Sequence, residues 1–253
     1  MVTLKTKEEI DKIRKAGAIL AKVAKVIIAR AEEGVTLKSL DQLAQELIQK
    51  AGGRPAFLGY RPYGAKKPYP CSICASVNEI IVHGIPASYK LVSGDILKLD
   101  FGVIYDGYYA DAAWTVGIGN IDPEARKLIN ATEKSLYAGI KEAKPGNTLG
   151  DIGWAIKNCV SKFGFSVVEG LTGHGIGKEL HEDPSVFNNG QKGKGMELSE
   201  GLVLAIEPMV SAGTSKTLIL KDDSFATADG SLSAHFEHTV AITVRGPEIL
   251  TLI

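Results

Sequence analysis

The sequence predicts an α+β fold in which two similar halves, each a helix pair followed by antiparallel strands, close one sheet beneath two pairs of helices. Three observations carry this. Gly34-Val35-Thr36-Leu37 and Gly146-Asn147-Thr148-Leu149 stand 112 positions apart, and the same offset maps Leu40 onto Ile152, Ile48 onto Val160 and Gly52 onto Gly164, so helix starts, inward positions and stops all repeat together. In each half the β-rich runs follow the helices and do not alternate with them, the pattern of α+β architectures. Apolar runs also end in carboxylates at one interval, Gly94 to Asp100 and Gly201 to Glu207, and each half has a His-Gly-Ile tripeptide, at 83–85 and 174–176. No Gly/Ser/Pro-rich linker divides the halves, so one domain is expected over 1–253, with halves of about 1–120 and 121–253.

Taken in order, Thr6-Lys7-Glu8-Glu9 is a capping box that opens the first helix, because the threonine and the glutamate each satisfy an orphan amide of the first turn. Ile10, Ile13, Gly17, Leu20, Ala24 and Ile27 then fall on one face, and Gly34 is the expected stop. Thr36 opens a second helix with Leu40, Leu43, Leu47 and Ile48 inward, ending at Gly52-Gly53. Asp122-Pro123 starts the third, through Leu128, Leu136 and Ile140 to Pro145-Gly146. Thr148 starts the fourth, through Ile152, Ile156, Cys159 and Val160 to Gly164. Strands are expected at 80–82, 95–104 and 108–118, then at 165–169, 202–210, 217–220 and 235–244. Arg61 to Pro70 reads as an irregular loop whose prolines and aromatics suit a pocket rim.

With 253 residues the chain can bury a full-sized core. Twenty-nine basic and 29 acidic residues cancel, which argues against bulk nucleic-acid binding. The apolar stretch 16–31 is interrupted by Lys22, Lys25 and Arg30, so it is neither a signal core nor a membrane span. Three cysteines suit a reducing compartment, and the expected location is the cytoplasm. Cys71 and Cys74 form a C-x-x-C without a second copy, so they are expected to be ordinary thiols.

The chemistry lies in the acidic strand ends. Asp100 and Asp111 flank the turn Ile104-Tyr105-Asp106-Gly107. A turn centred between Tyr105 and Asp106 sets them directly opposite; one centred between Asp106 and Gly107 makes them diagonal neighbours. Both registers put two carboxylates on one face, where like charges repel unless a cation neutralises them. Glu207 ends a further apolar strand, and alternation through His235-Phe236-Glu237-His238-Thr239 puts His235, Glu237 and Thr239 on one face. In Gly173-His174-Gly175 the flanking glycines let the backbone place the ring tightly, as a ligand requires. Four carboxylates and one imidazole exceed what a single structural zinc uses and suit two divalent ions. The chain has no His-Glu-x-x-His and no Gly-x-Ser-x-Gly, which removes the single-zinc protease and the serine-elbow hydrolase.

Read together, Ser76-Val77-Asn78-Glu79 through His83-Gly84-Ile85-Pro86, Lys98-Leu99-Asp100-Phe101-Gly102, Asp106-Gly107, Gly173-His174-Gly175-Ile176-Gly177 with His181-Glu182-Asp183-Pro184, Ala205-Ile206-Glu207-Pro208-Met209 and Glu237-His238-Thr239 resemble the "pita-bread" metallopeptidases, most closely the type I methionine aminopeptidases. The resemblance spans nearly the whole chain. It implies that Asp100, Asp111, His174, Glu207 and Glu237 ligate two metal ions (Co, Mn, Fe or Zn), with Asp111 and Glu237 bridging, Asp100 completing one site, and His174 and Glu207 the other. It implies further that His83 and His181 line the substrate, that Glu207 carries a proton, and that Tyr60, Cys74 and Phe225 border a methionine pocket. A monovalent cation near Asn78 and Ser233 is implied as well. Leu180 stands where bacterial members commonly have Phe, and Ser224-Phe225 where they commonly have Trp.

The expected activity is removal of initiator methionine, ahead of a small second residue, by a hydroxide bridging the two ions. Nascent chains, and through them the ribosome, would be transient partners of a monomer. The rivals are an Xaa-Pro aminopeptidase or prolidase, which shares all five ligands but usually has a large N-terminal domain, a type II methionine aminopeptidase, which has an extra helical insertion, and a non-enzymatic binding relative, which would have lost ligands.

Overall fold

A computed structural model describes residues 2–61 and 67–253. Helix α1 (Lys7–Arg30) opens on the capping box, with the Thr6 side chain accepting from the Glu9 amide and the Glu9 side chain accepting from the Thr6 amide. Helices α2 (Leu37–Lys50), α3 (Pro123–Glu142) and α4 (Leu149–Lys162) follow the expected starts at Thr36, Asp122 and Thr148. The repeat is visible in these bounds, since α2 and α4 begin and end at positions that differ by 112.

The helix stops differ from expectation in one detail. α1 and α3 end at Arg30 and Glu142, their caps are Ala31 and Ala143, and the glycines at 34 and 146 lie beyond them. Those glycines, at φ of 84° and 85°, make the turns into α2 and α4, a left-handed conformation that a Cβ penalises. The segment 62–66 of the expected pocket-rim loop lies outside the described residues.

The first half holds β1 (Arg54–Pro55), β2 (Ile73–Val77), β3 (Ile80–Val82), β4 (Ile96–Tyr105) and β5 (Tyr108–Gly117). The second half holds β6 (Ser166–Val167), β7 (Thr172–Gly175), β8 (Glu182–Phe187), β9 (Val203–Ile206), β10 (Met209–Ser211), β11 (Thr217–Ile219), β12 (Phe225–Thr227), β13 (Ser233–His235), β14 (His238–Thr243) and β15 (Gly246–Ile249). β4 pairs with β1, β2 and β5, and the other sheets run β15-β14-β9-β7-β8, β13-β10-β6 and β11-β12-β3, every pairing antiparallel.

Two of the expected strands are broken where the chemistry requires it. The run 202–210 splits into β9 and β10 around Glu207-Pro208, and the run 235–244 splits into β13 and β14 around Phe236-Glu237. The pairs Ile206–His238 and Met209–His235 keep one register across the gap, so Glu207 falls opposite Glu237. Pro208 lacks the amide that a continuous ladder needs.

α1 and α2 cover β4 and its neighbours over a core that includes Ile13, Leu20, Ile27, Leu40, Ile48, Leu97, Leu99 and Phe101. α3 and α4 cover the second half over Leu128, Leu136, Ile152, Ile156, Leu204, Ile206 and Val240. α1 lies so close to the C-terminal segment that a Cβ on Gly17 would sit 2.1 Å from the Leu250 carbonyl oxygen. Gly17→Ala is therefore expected to lower stability by about 1–3 kcal/mol through overpacking against backbone, read as a shifted denaturant midpoint with an unchanged slope.

The halves meet along a seam between β5 and the β13–β14 stretch. Ala113 and Glu237 exchange two backbone hydrogen bonds, at 3.3 and 2.9 Å. On one side of that pair, Thr239 Oγ1 accepts from the Asp111 amide and donates to the Asp111 carbonyl. On the other side, Thr115 Oγ1 accepts from the His235 amide and donates to the His235 carbonyl. Asp111–Ala113–Thr115 and His235–Glu237–Thr239 are thus twofold-related along the seam, each threonine clamping the residue that faces it.

Candidate metal centre

The β4–β5 hairpin adopts the diagonal register, with Tyr105 opposite Tyr108, Asp100 opposite Ala113 and Gly102 opposite Asp111. Asp111 is fixed by the Thr239 clamp, and Glu237 by its paired bonds to Ala113. In β7, His174 stands opposite Ala205 of β9, two residues short of Glu207. The glycines beside it allow this approach, because a Cβ on Gly173 would lie 2.3 Å from the Ala205 carbonyl and one on Gly175 2.2 Å from the Asp183 carbonyl.

All five expected ligands converge. Donor atoms of Asp111, His174 and Glu237 lie within 4.8 Å of one another. His174 Nε2 is 3.9 Å from Asp111 Oδ2 and 3.6 Å from Glu207 Oε1, while Asp100 and Asp111 interact directly through their side chains. Asp100 Oδ1, Asp111 Oδ1 and Glu237 Oε1 are buried without a hydrogen-bond partner. Burial and mutual repulsion push Asp111 and Glu237 well above the ordinary carboxylate range, and burial does the same to Glu207. Burial, with Glu207 close by, raises Asp100 to about 7.

Orphaned carboxylate oxygens in such a cluster are a cation site by their own electrostatics: either the groups protonate or a cation replaces the protons. The histidine supports the second alternative. His174 Nδ1 lies 2.9 Å from the Gly175 carbonyl, which can only accept, so Nδ1 carries the proton and Nε2 presents a bare lone pair to the carboxylates. Burial lowers this imidazole to about 4, which keeps it neutral. The donor set fits divalent ions.

The expected substrate residues stand around this cluster. His83 and His181 each keep part of the ring open to solvent, whereas Asp111 and Glu237 are buried. The His181 ring meets His174 edge-on at 4.4 Å between centroids, and its Nδ1 lies 2.6 Å from the Tyr60 hydroxyl. Crowding by the surrounding protein, with the His174 and His83 rings close by, holds His181 below the ordinary imidazole value although part of the ring reaches solvent. The loop carrying it is held from below, because Glu182 accepts from the Lys178 and Glu179 amides and from the ammonium of Lys5. His83 has φ of 61° and packs edge-on against Phe225 at 5.6 Å, brought there by the β3–β12 pairing of Val82 with Phe225. Cys74 is buried opposite Asp100 in the β2–β4 register.

Of the two positions at which this chain departs from the bacterial pattern, Leu180 is buried in the core of the first half, and Ser224 turns its hydroxyl to Asp222. Cys71, Cys74 and Cys159 are free thiols. At the position expected to take a monovalent cation, the Asn78 carbonyl accepts from Lys98 Nζ at 2.6 Å and from Ser233 Oγ at 3.0 Å. The Lys98 side chain is 1 % exposed.

Strand β2 and a role for His235 lie outside the sequence expectations. β2 was unexpected because ICASV follows a proline-rich loop and was weighed as part of a C-x-x-C. His235 lies in the site with Nε2 3.4 Å from Glu207 Oε2. Its signal was present in the alternation His-x-Glu-x-Thr, which puts it on the ligand face.

Comparison with known proteins gives the family. Residues 11–244 match the model of metallopeptidase family M24. A methionine aminopeptidase of Clostridium perfringens is 48% identical over 254 residues, covering 100% of both chains. The solved structure of a methionine aminopeptidase from Rickettsia prowazekii superimposes with a TM-score of 0.95 at 38% identity, covering 100% of both chains. A prolidase from Pyrococcus furiosus shares the fold, with a TM-score of 0.78 at 24% identity, and this chain covers 65% of it. The chain belongs to metallopeptidase family M24, among the methionine aminopeptidases.

Proposed function

We infer that this chain releases the N-terminal methionine of peptides and nascent proteins, and that Asp100, Asp111, His174, Glu207 and Glu237 hold two divalent ions for the purpose. The single observation that carries the site assignment is the convergence of orphaned carboxylate oxygens on a histidine whose tautomer is already set for ligation. Two such ions supply, when bound, an activated water, a Lewis acid for the scissile carbonyl and an anchor for a free α-amine.

The protein's own part follows from its side chains. With the Tyr60 hydroxyl donating to His181 Nδ1 across their 2.6 Å contact, the neutral ring would carry its proton on Nε2. That N–H stabilises the negative charge that develops on the carbonyl oxygen. Glu207, the carboxylate beside His174, would take the proton given up by the attacking water and return it to the leaving amine. His83, Phe225, Cys74 and Tyr60 form a soft, largely apolar border suited to a thioether side chain.

In its finer form the proposal includes a small residue after the methionine, emerging nascent chains near the ribosome, and manganese, iron, cobalt or zinc as the metal. It also includes a monovalent cation beside Asn78 and Ser233, where the amine of Lys98, its pKa pushed well down by burial, holds the Asn78 carbonyl. No described helix is long and apolar enough to cross a membrane.

Hydrolysis of Met-Ala-Ser, N-acetyl-Met-Ala-Ser and Ala-Pro-Ser by metal-free protein, before and after addition of Co²⁺ or Mn²⁺, tests this. Release of Met from the first peptide alone, and only with metal, is the expected outcome. Cleavage of Ala-Pro-Ser in its place moves the chain to the Xaa-Pro activity. No turnover by metal-loaded protein leaves a binding relative.

A further inference from the structure

We propose that His235 is a positioning residue of the metal centre: with metal bound, its Nε2–H would donate to Oε2 of Glu207 and leave Oε1, beside His174, as the ligating oxygen. The inference rests on the proposed metal site and adds to it a residue outside the five ligands.

Three observations carry it. His235 is 1 % exposed, and neither ring nitrogen has a hydrogen-bond partner, although a buried imidazole ordinarily satisfies at least one. Glu207 lies between two imidazoles, with Oε1 3.6 Å from His174 Nε2 and Oε2 3.4 Å from His235 Nε2. The two rings cannot play the same part. His174 has its Nδ1 proton committed to the Gly175 carbonyl and offers Nε2 as a lone pair, whereas His235 has no carbonyl or carboxylate on Nδ1 to prepare Nε2 for ligation. The ring of His235 is therefore free to carry its proton on Nε2 and to donate to the oxygen in front of it.

The seam supplies the third observation. Thr115 clamps the backbone of His235 as Thr239 clamps that of Asp111. The fold thus builds two equivalent rigid mounts facing the same centre. One carries a carboxylate ligand and the other carries His235, so the histidine occupies a position constructed with a ligand's accuracy. From there it reaches the free end of Glu207 and interacts electrostatically with Asp100. A carboxylate held by one oxygen ligates through the other, and partners of this kind commonly contribute about 10–100-fold to metal affinity.

The test uses metal-free full-length protein titrated with Co²⁺ by calorimetry and by visible absorption, for wild type, His235→Gln and His235→Met, each checked for folding by circular dichroism. Gln keeps an N–H donor for Glu207; Met removes it at similar volume. The expected result is a cobalt affinity about tenfold or more weaker for His235→Met, with altered absorption bands as Glu207 turns both oxygens to the metal, and recovery of affinity and bands in His235→Gln. Wild-type affinity and bands in His235→Met overturn the proposal. Equal loss in both variants also overturns it, because His235 is then itself a ligand. Proton NMR of cobalt-loaded wild type decides the matter if His235→Met does not fold: one strongly shifted exchangeable imidazole N–H, that of His174, is expected, and two contradict the proposal. Failure of wild type to bind cobalt at all strikes the metal-site reading itself and is thereby distinguished.

Discussion

Asp111→Asn is expected to abolish methionine release while making the metal-free protein more stable. Activity should fall about 10³-fold or more, since a bridging ligand supports both ions and their loss removes several kcal/mol of transition-state stabilisation. Stability should move the other way because Asp111 is 4 % exposed beside Asp100, Glu207 and Glu237, and its carboxyl is already pushed well up by burial and by those neighbours. An amide of the same shape removes one charge from a cluster that no cation relieves.

The pH dependence gives this prediction a sign. Acids whose folded pKa is raised contribute stability that is fully present below their unfolded value near 4 and is lost as pH rises through the folded value, which for Asp100 is about 7. Buried histidines act oppositely. His174 and His235 are lowered to about 4, so their contribution is present above about 6.5 and is lost as pH falls toward 4. The histidines are common to both proteins and cancel in the difference between wild type and Asp111→Asn, which leaves the carboxylates. The melting temperature of Asp111→Asn minus that of wild type, both metal-free, should therefore grow as pH rises from near 4 toward 7. A difference that shrinks there contradicts the charge cluster, and adding Mn²⁺ should raise the wild-type value and leave the variant's in place.

His181→Ala should lower kcat by about 10²-fold with little change in KM or in metal affinity. One preorganised donor to a developing oxyanion is worth about this much, and an interaction made only in the transition state appears in kcat. Tyr60→Phe should lose a smaller part of the same quantity, because a Tyr60 hydroxyl donating across the 2.6 Å contact to Nδ1 would hold the ring proton on Nε2 without touching the carbonyl itself. A rise in KM alone for His181→Ala would make it a binding residue and leave oxyanion stabilisation without a protein donor.

Much of this was legible before the structure, and the physical reason is periodicity. The helices were readable because capping residues and a 3.6-residue apolar rhythm act locally, and Thr36 and Thr148 open α2 and α4 as expected. The carboxylates were readable because charge at the end of an apolar strand is costly wherever that strand goes. The register of Asp100 against Asp111 was not decidable from residues alone, since both turn centres place the pair on one face; the Tyr105–Tyr108 pairing settles it.

The breaks at Glu207-Pro208 and Phe236-Glu237 were missed for a different reason. They are produced by two ladders interrupting each other across about thirty residues of sequence, which no local pattern encodes. β8, Glu182–Phe187, was missed because it contains a proline and half-exposed polar residues, as the edge position in its sheet allows. His235 went unassigned because a lone buried histidine is ordinarily filler. What distinguishes it is the Thr115 clamp and the free oxygen of Glu207, both contributed by distant segments.

The most direct test of the central claim is a titration of metal-free protein with Mn²⁺ in which bound metal and release of methionine from Met-Ala-Ser are followed in the same samples. Activity absent without metal, rising with occupancy to a limit of two ions per chain and lost in Asp111→Asn, is the predicted result. Methionine release that persists in metal-free protein, or a chain that takes up two ions and releases none, would contradict it.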